Sequence, residues 1–485
     1  MTLARMIAVV AVAALAAVWP LQLRTAPEVA AQPAGGGRTF LMGMGGLQAV
    51  NNGRDPLYQI NTPMATLAAD ADIIYLHVET YGLPWNEFAA GPEPPPSHPW
   101  TEAMNDLARQ REAVGKDVYL AMLLMRGEMA HNAEIRDGAL YVNDRWAESC
   151  FDFTAWATPG TRANAYRTAY LNYVRWMVGR FRPSYVNVAV EVNSYWENCT
   201  NRGRPVAQWN AVVDLVNAAY DLAKGLNGTA VVFPSFAIND MYGHTVVSEQ
   251  CVRPMPTREC SRRQAAHYSV AYAAVAGLKR DRFAISAWPY AAEVYDRDSP
   301  TFNGKRFLTP ATIPLDYFTR AADRGRERVF VAETGWTTDD LVIKPRADLT
   351  CFAIVPSFQD YQRRYLEVLF TRAQNSIIDA VMWWSNQDAL PQDVMTGCYP
   401  YSRGPDYAEC EGDIWCADAN YFRNRRPENP PFGELLFKAY GTTGMKRYDG
   451  VIKSQNHAFW QEIFARPYAA RVCIACPPTT ADRMR

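Results

Sequence analysis

Eight short apolar runs of β-forming residues recur along the chain, with longer segments between them. They occupy residues 39–45, 72–79, 117–125, 184–192, 229–236, 282–290, 328–333 and 378–385. Each run is continuously apolar instead of alternating between apolar and polar positions, which is typical of strands buried on both faces. We therefore predict eight buried β-strands.

Segments with a helical spacing of apolar residues lie between these runs. The clearest cover residues 65–71, 98–115, 161–181, 209–228 and 360–376, and Gly115 is placed to cap the second of them. Alternation of strands and helices predicts a parallel sheet. Eight such units favour a closed (β/α)8 TIM barrel over an open doubly wound sheet.

We assign the barrel to residues 39–440. A barrel of this kind usually needs about 250 residues, so the extra length predicts long βα-loop insertions. The longest follow the second, third and eighth runs, at the end of the barrel where active sites form. Residues 441–485 contain one amphipathic stretch, "NHAFWQEIFARPY", and are expected to form a short C-terminal extension packed on the barrel.

The N-terminus has the layout of a secretory signal peptide. One Arg precedes an apolar run from Met6 to Trp19, and small residues follow at 29–31. We predict a signal peptide over residues 1–31 and a flexible leader over 32–38, hence a secreted or periplasmic protein. An uncleaved N-terminal membrane anchor is the alternative.

The ten cysteines are compatible with export, because disulfides form in oxidising compartments. Two pairs are close enough in sequence to bond locally, Cys251 with Cys260 and Cys410 with Cys416. Cys351 and Cys398 follow successive predicted strands and are placed to clip their loops, and the Cys473–Cys476 pair in the tail is expected to be structural.

Composition narrows the class of partner. The chain has 49 Lys and Arg against 50 Asp and Glu, so no basic excess indicates a nucleic-acid partner. The sequence has no HExxH or GxSxG motif and no dinucleotide-binding fingerprint, so we expect no metal and no cofactor. His77 is interpreted as a core histidine. Fourteen Trp and 26 Tyr are consistent either with a large core or with stacking surfaces for sugar rings.

Two carboxylates end predicted strands. Glu191 ends the fourth run in "VNVAVEVNSYW", and Glu333 ends the seventh in "VFVAETGWTT". Strands four and seven lie across a small barrel from each other, so both side chains can converge at its C-terminal mouth. Two carboxyl groups about 5 Å apart on either side of a glycosidic bond are the equipment for retaining glycoside hydrolysis.

These motifs resemble the fourth- and seventh-strand motifs of the large clan of retaining (β/α)8 glycoside hydrolases, which includes endo-β-1,4-galactanases, β-1,3-glucanases and cellulases. The resemblance implies that Glu191 is the acid/base and Glu333 the nucleophile in cleavage of a β-linked polysaccharide or oligosaccharide. "AISAWPY" is similar to the clan's sixth strand and implies that Trp288 or Tyr290 stands near the nucleophile. "VMWWSNQDA" is similar to the eighth strand and implies that Trp383 or Trp384 floors the sugar site.

One position departs from the clan's pattern. Val190 stands where the clan usually has an Asn that binds the sugar 2-hydroxyl. Asn193 is an alternative donor. The departure keeps other functions open: a non-catalytic glycan-binding barrel, or a barrel that assists polysaccharide assembly or transglycosylation. We expect a monomer in each case.

Further candidate residues follow the ends of other runs. Glu79 is either a structural carboxylate or part of the sugar site, as a third functional carboxylate or as its wall, and Arg126 is placed to pair with a carboxylate. Asp240 and Asp388 are more typical of loop hydrogen bonding than of chemistry. Three aromatic residues after strands two, four and seven are either packed in the core or, as a group on one rim, stack on pyranose rings: Trp85, Trp196 and Trp336.

Overall fold

The computed structural model describes residues 37–46, 48–50, 58–60, 63–78, 83–125, 129–130, 133–136, 139–142, 148–244, 247, 250–251, 253–298, 305–325, 327–339, 341–343, 352–355, 359–388, 441–447 and 449–469. The predicted signal peptide and most of the leader lie outside these residues. So do Glu79, Arg126 and the six cysteines of the other proposed pairings.

A parallel sheet closes into the predicted (β/α)8 barrel. Its strands are Leu41–Gly45, Ile73–Val78, Asp117–Met122, Tyr185–Asn187, Val231–Phe233 continued by Ser235–Ala237, Phe283–Ala287, Val329–Thr334 and Ile378–Trp383. The first strand pairs with both the second and the eighth. Pro234 divides the fifth strand, since proline has no N–H for the ladder. The first half pairs with the fourth strand and the second half with the sixth.

The helices surround this sheet. They are α1 (Met64–Asp70), α2 (Trp85–Ala90), α3 (Pro99–Val114), α4 (Arg162–Phe181), α5 (Asn193–Asn198), α6 (Val206–Leu226), α7 (Ile238–Met241), α8 (Thr257–Val275), α9 (Arg320–Gly325), α10 (Gln359–Asn375) and α11 (Ser454–Phe464). Gly115 caps α3 as predicted: its φ of 63° is left-handed, and its N–H donates to the carbonyl of Arg111.

The core has two layers. Side chains inside the barrel form one apolar cluster, and the outward side chains of the strands form a larger cluster with the helices. Aromatic rings fill the barrel interior: Tyr75 stacks on Tyr119 with ring centroids 4.9 Å apart, and Phe330 lies 5.0 Å from Tyr119 and 4.7 Å from Phe233. The interior is therefore solid below the mouth, as in other barrels of this kind.

Short antiparallel hairpins decorate the loops that follow the barrel strands. They pair Gln48–Val50 with Tyr58–Ile60, Met129–Ala130 with Glu148–Ser149, Ala133–Arg136 with Ala139–Val142, Glu293–Tyr295 with Lys305–Phe307, and Leu341–Ile343 with Phe352–Val355. All follow strand C-termini, so these described insertions lie at one end of the barrel.

The described part of the C-terminal segment packs on the barrel. Trp460 on α11 is fully buried and donates its indole N–H to the carbonyl of Asp70 at 2.7 Å. Lys453 and Asp388 form a buried ion pair at 2.7 Å. Burial raises the pKa of Asp388 to about 7, against the lowering effect of Lys453. The segment is thus held by both apolar and charged contacts.

Two disulfides occur in the described residues. Cys251–Cys260 is the local pair that the sequence indicated, and Cys150–Cys199 joins residues 49 positions apart. Within the described ranges, no helix combines the length and the apolar character that crossing a bilayer requires.

Candidate active site

Glu333 lies at the mouth of the barrel near the end of the seventh strand, and only 4% of its surface is exposed. The hydroxyl of Tyr75 donates to its Oε1 at 2.9 Å, and Nδ1 of His77 lies 3.1 Å from the same oxygen. Both partners come from the second strand. The nucleophile predicted from the sequence is therefore oriented by two side chains from a distant part of the chain.

A β-bulge turns Glu333 towards the barrel interior. The inward face of the seventh strand carries Phe330 and Ala332, so strict alternation places residue 333 outside. The register with the sixth strand shifts here: Ile285 faces Val331, but the next residue, Ser286, faces Glu333. One extra residue is thereby accommodated, and the strand's side chains change face.

His77 belongs to this site, although the sequence suggested an ordinary core histidine. Its ring packs edge-on against Trp384 with centroids 4.9 Å apart, and Nδ1 also lies 3.0 Å from the Tyr75 hydroxyl. Tyr75 and His77 are two residues apart on one strand and so share its inward face. This two-residue spacing is the signal in the sequence that places both side chains at the same site.

The regular part of the fourth strand ends at Asn187, and Glu191 lies four residues further along the chain. Backbone hydrogen bonds to the third and fifth strands continue beyond Asn187. Glu191 has a φ of +50°, a left-handed conformation that is costly for a residue with a β-carbon. Its N–H donates to Oγ of Ser235 at 3.1 Å, and the amide of Asn187 donates to the same oxygen at 2.8 Å. This network holds the strained backbone in place.

The pKa of Glu191 is raised to about 8, first by burial and then by the negative charges of Glu333 and Asp240, in that order. The hydroxyl of Ser286 and the ring of His77 act in the opposite direction. The raised pKa favours the protonated form of the Glu191 carboxyl at neutral pH. A protonated carboxyl beside a second carboxylate can act as a general acid while its neighbour acts as a nucleophile.

The aromatic candidates of the sixth and eighth strands divide into those at the mouth and those packed behind it. Trp384 is partly exposed at the mouth, where its ring meets Trp288 edge-on at 5.8 Å and also packs against His77, the partner of Glu333. Trp288 and Trp384 together form the aromatic wall of the mouth. Tyr290 packs behind Trp288, between it and Trp336. Trp383 points outward and donates its indole N–H to the carbonyl of Thr443.

The three tryptophans expected as stacking platforms are all buried. Trp85 stacks on Tyr166 in the outer core with centroids 5.2 Å apart. Trp336 is fully buried, and Trp196 packs against His267. Their position directly after strands two, four and seven does not by itself bring their rings to the mouth.

Asn193 and Val190 are both tied into the scaffold. The side-chain amide of Asn193 donates to the carbonyl of Ala237 and accepts from its N–H. Val190 joins the apolar cluster inside the barrel.

In the described ranges, no group of three or more His, Cys, Asp or Glu side chains is arranged to hold a metal ion.

Glycines allow close approach at two points of the mouth. A β-carbon at Gly45 on the first strand would overlap the carbonyl oxygen of Trp384. At Gly335, two residues after the candidate nucleophile, it would lie 2.9 Å from the ring of Trp288. Both glycines let this aromatic wall pack directly against the barrel rim.

Comparison with known proteins confirms the resemblance at the level of the fold. No protein-family model and no curated protein sequence matches the chain. A GH5_18 protein from Streptomyces cattleya in complex with Manβ1-4GlcNAc aligns with a TM-score of 0.50 and 12% identity, over 90% of this chain and 83% of that one. A fungal β-1,4-galactanase aligns with a TM-score of 0.44 and 13% identity, over 87% of this chain and 99% of that one. A GH5_18 protein from Bifidobacterium longum aligns with a TM-score of 0.43 and 13% identity, over 84% of this chain and 74% of that one. These neighbours are glycoside hydrolases, and the first shares the (β/α)8 fold with this chain.

Proposed function

We propose that this protein is an exported retaining glycoside hydrolase that cleaves a β-linked glycan. The observation that carries the proposal is the interacting pair of carboxyl groups at the barrel mouth. The charge of Glu333 is one of the causes that raise the pKa of Glu191, and Glu333 is held by Tyr75 and His77. The fold shared with glycoside hydrolases supports the same assignment.

In the first step, the carboxylate of Glu333 attacks the anomeric carbon and forms a glycosyl-enzyme ester. Glu191 gives its proton to the leaving glycosidic oxygen. In the second step, the ionised Glu191 removes a proton from water, which attacks the anomeric carbon and releases the sugar with retained configuration. Glu333 returns to its carboxylate form, so no cofactor is consumed.

The walls of the mouth suggest how a sugar is held. Trp384, the partly exposed member of the aromatic wall, offers a face on which a pyranose ring can stack, and Trp288 supports it. Glu79 and Arg126 remain candidates for substrate contacts, although both lie outside the described residues. Export is supported by the two disulfides, since such bonds persist in oxidising compartments.

Replacement of each carboxylate tests the proposal. Glu333→Ala and Glu191→Ala should each abolish hydrolysis of a panel of aryl β-glycosides by the oxidised protein. Azide should restore turnover of an activated glycoside in Glu333→Ala and give a β-glycosyl azide only in Glu191→Ala, because the small anion replaces a different group in each. Glu327→Gln is the matched control, since Glu327 pairs with Arg280 before the seventh strand begins. Inverted product from the native protein would contradict the mechanism.

A non-catalytic glycan-binding barrel is the second candidate, and Val190 favours it. An apolar side chain occupies the place of the clan's amide and provides no hydrogen bond to a 2-hydroxyl. A glycan array and the hydrolysis panel separate the two functions: binding with no turnover of any ligand favours the binder. New, longer products from an activated donor would instead indicate transglycosylation.

A further inference from the structure

A polar cavity of about 480 Å³ lies outside the barrel, between the turn that follows α5 and helix α8. Cationic and amide side chains dominate its lining: Asn201, Arg202, Gln250, Arg262, Arg263 and His267. None of these residues takes part in the proposed hydrolysis.

Both disulfides brace the walls of this cavity. Cys199 is bonded to Cys150 and directly precedes the 3-10 turn Thr200–Arg202. Cys251 follows Gln250 and is bonded to Cys260, two residues before Arg262 on α8. Covalent links on two sides reduce the freedom of the lining residues, so the cavity is preorganised for a ligand.

A buried pair forms the floor. The side chain of His267 is 7% exposed, and its Nε2 lies 3.0 Å from Oε1 of the fully buried Glu197 and 3.0 Å from the carbonyl of Asp240. Burial lowers the pKa of His267, but its contacts with Glu197 and Asp240 outweigh burial and raise the pKa overall. The histidine is thereby favoured as a cation, and its charge is paired with the Glu197 carboxyl, whose own pKa burial raises to about 7.

The rim carries more positive than negative charge. Arg262 and Arg263 both donate to the single carboxylate of Glu259, at 2.9 and 3.0 Å, and Arg202 adds a third guanidinium. Guanidinium groups donate in a fixed fork that matches carboxylate, sulfate and phosphate. The geometry points to a site for a small organic molecule that carries an oxyanion. The volume falls in the range of small-molecule sites and far exceeds that of a bare inorganic ion.

This site is independent of the proposed hydrolase activity and is tested by binding alone. Isothermal titration calorimetry on the native, oxidised protein should detect binding of glucuronate, glucose 6-sulfate or glucose 6-phosphate. It should detect no binding of neutral glucose. The three anions distinguish a carboxylate ligand from a sulfate or phosphate ligand. The ring resonances of His267 should shift on binding, because its side chain lines the cavity.

Arg202→Gln and Arg263→Gln should each weaken binding about tenfold or more, as expected for loss of a charged hydrogen bond. Arg364→Gln is the matched control, since Arg364 is an exposed arginine that pairs with Asp360 on α10, away from the cavity. Failure of all three sugar anions to bind would overturn the inference. The inference would also be overturned if both cavity variants bound the anions with the affinity of the native protein, or if inorganic sulfate bound and none of the sugar anions did.

Discussion

Replacement of Glu333 by Gln should lower the pKa of Glu191. Glu333 and Asp240 are the two negative charges that raise this pKa, after burial, to about 8 from an ordinary 4.5. At the separation of about 5 Å that a retaining mechanism needs, two carboxylates repel by about 3 kcal/mol at an effective dielectric constant of 20. Removing one charge should therefore lower the pKa of Glu191 by about two units. Burial, the larger cause, remains and keeps it above 4.5.

Infrared or ¹³C NMR titration of glutamate-labelled protein measures this directly, with Glu191→Gln used to assign the carboxyl signal. Asp240→Asn is the matched control and should give a smaller fall, because Asp240 has the weaker effect. An unchanged Glu191 pKa in Glu333→Gln would refute the interaction between the two carboxylates. A larger fall in Asp240→Asn than in Glu333→Gln would refute the assignment of the pair.

The same pKa predicts how stability depends on pH. A glutamate whose folded pKa is raised binds more protons in the folded than in the unfolded state between pH 4.5 and about 8, so folding stability falls as pH rises through this range. The loss is about 3–5 kcal/mol once both states are ionised. Glu191→Gln should therefore match the native protein at pH 4 and exceed its unfolding free energy at pH 9. Equal pH profiles in denaturant titrations would contradict the raised pKa.

Three further changes test other parts of the structure. His77→Ala should lower kcat on an aryl glycoside by about 10- to 100-fold, through loss of a charged hydrogen bond to the nucleophile. His457→Ala, at a histidine of α11 that pairs with Asp70 on α1, should have little effect; equal losses would indicate a general folding defect. Glu191→Gly should be more stable than Glu191→Ala by about 1 kcal/mol in denaturant titrations, because glycine adopts a φ of +50° without strain; the opposite order would contradict this backbone conformation. Lys453→Met should destabilise the fold by about 3–5 kcal/mol because it leaves Asp388 buried without its partner, and calorimetry should show that adding Asp388→Leu recovers part of the loss.

The barrel was predictable because its strands are buried on both faces. That burial requires continuous apolar runs, and the runs at 72–79 and 328–333 contain the observed strands Ile73–Val78 and most of Val329–Thr334. Glu191 and Glu333 were predictable as a pair because they end the fourth and seventh runs, whose strands face each other across a small barrel.

The detailed geometry of the mouth was not predictable. The bulge at Ala332 and the left-handed backbone at Glu191 depend on pairing with neighbouring strands, which a single sequence does not specify. The contact of Tyr75 with Glu333 joins residues 258 positions apart. Periodicity also does not show which way a loop aromatic points, and Trp336, expected at the rim, is buried.

The backbone irregularities beneath the two glutamates bear on attempts to transplant this site. A designer who copies only the side chains onto an idealised barrel with regular alternation would place the residue after Ala332 outside the sheet and residue 191 in an extended conformation. The graft must carry the additional residue in the seventh strand. It must also carry the hydrogen bonds that the Asn187 amide and the Glu191 N–H donate to Ser235, because they hold the backbone at Glu191. The unit that can be moved between scaffolds is thus the β-bulge and the left-handed residue together with the side chains that they position.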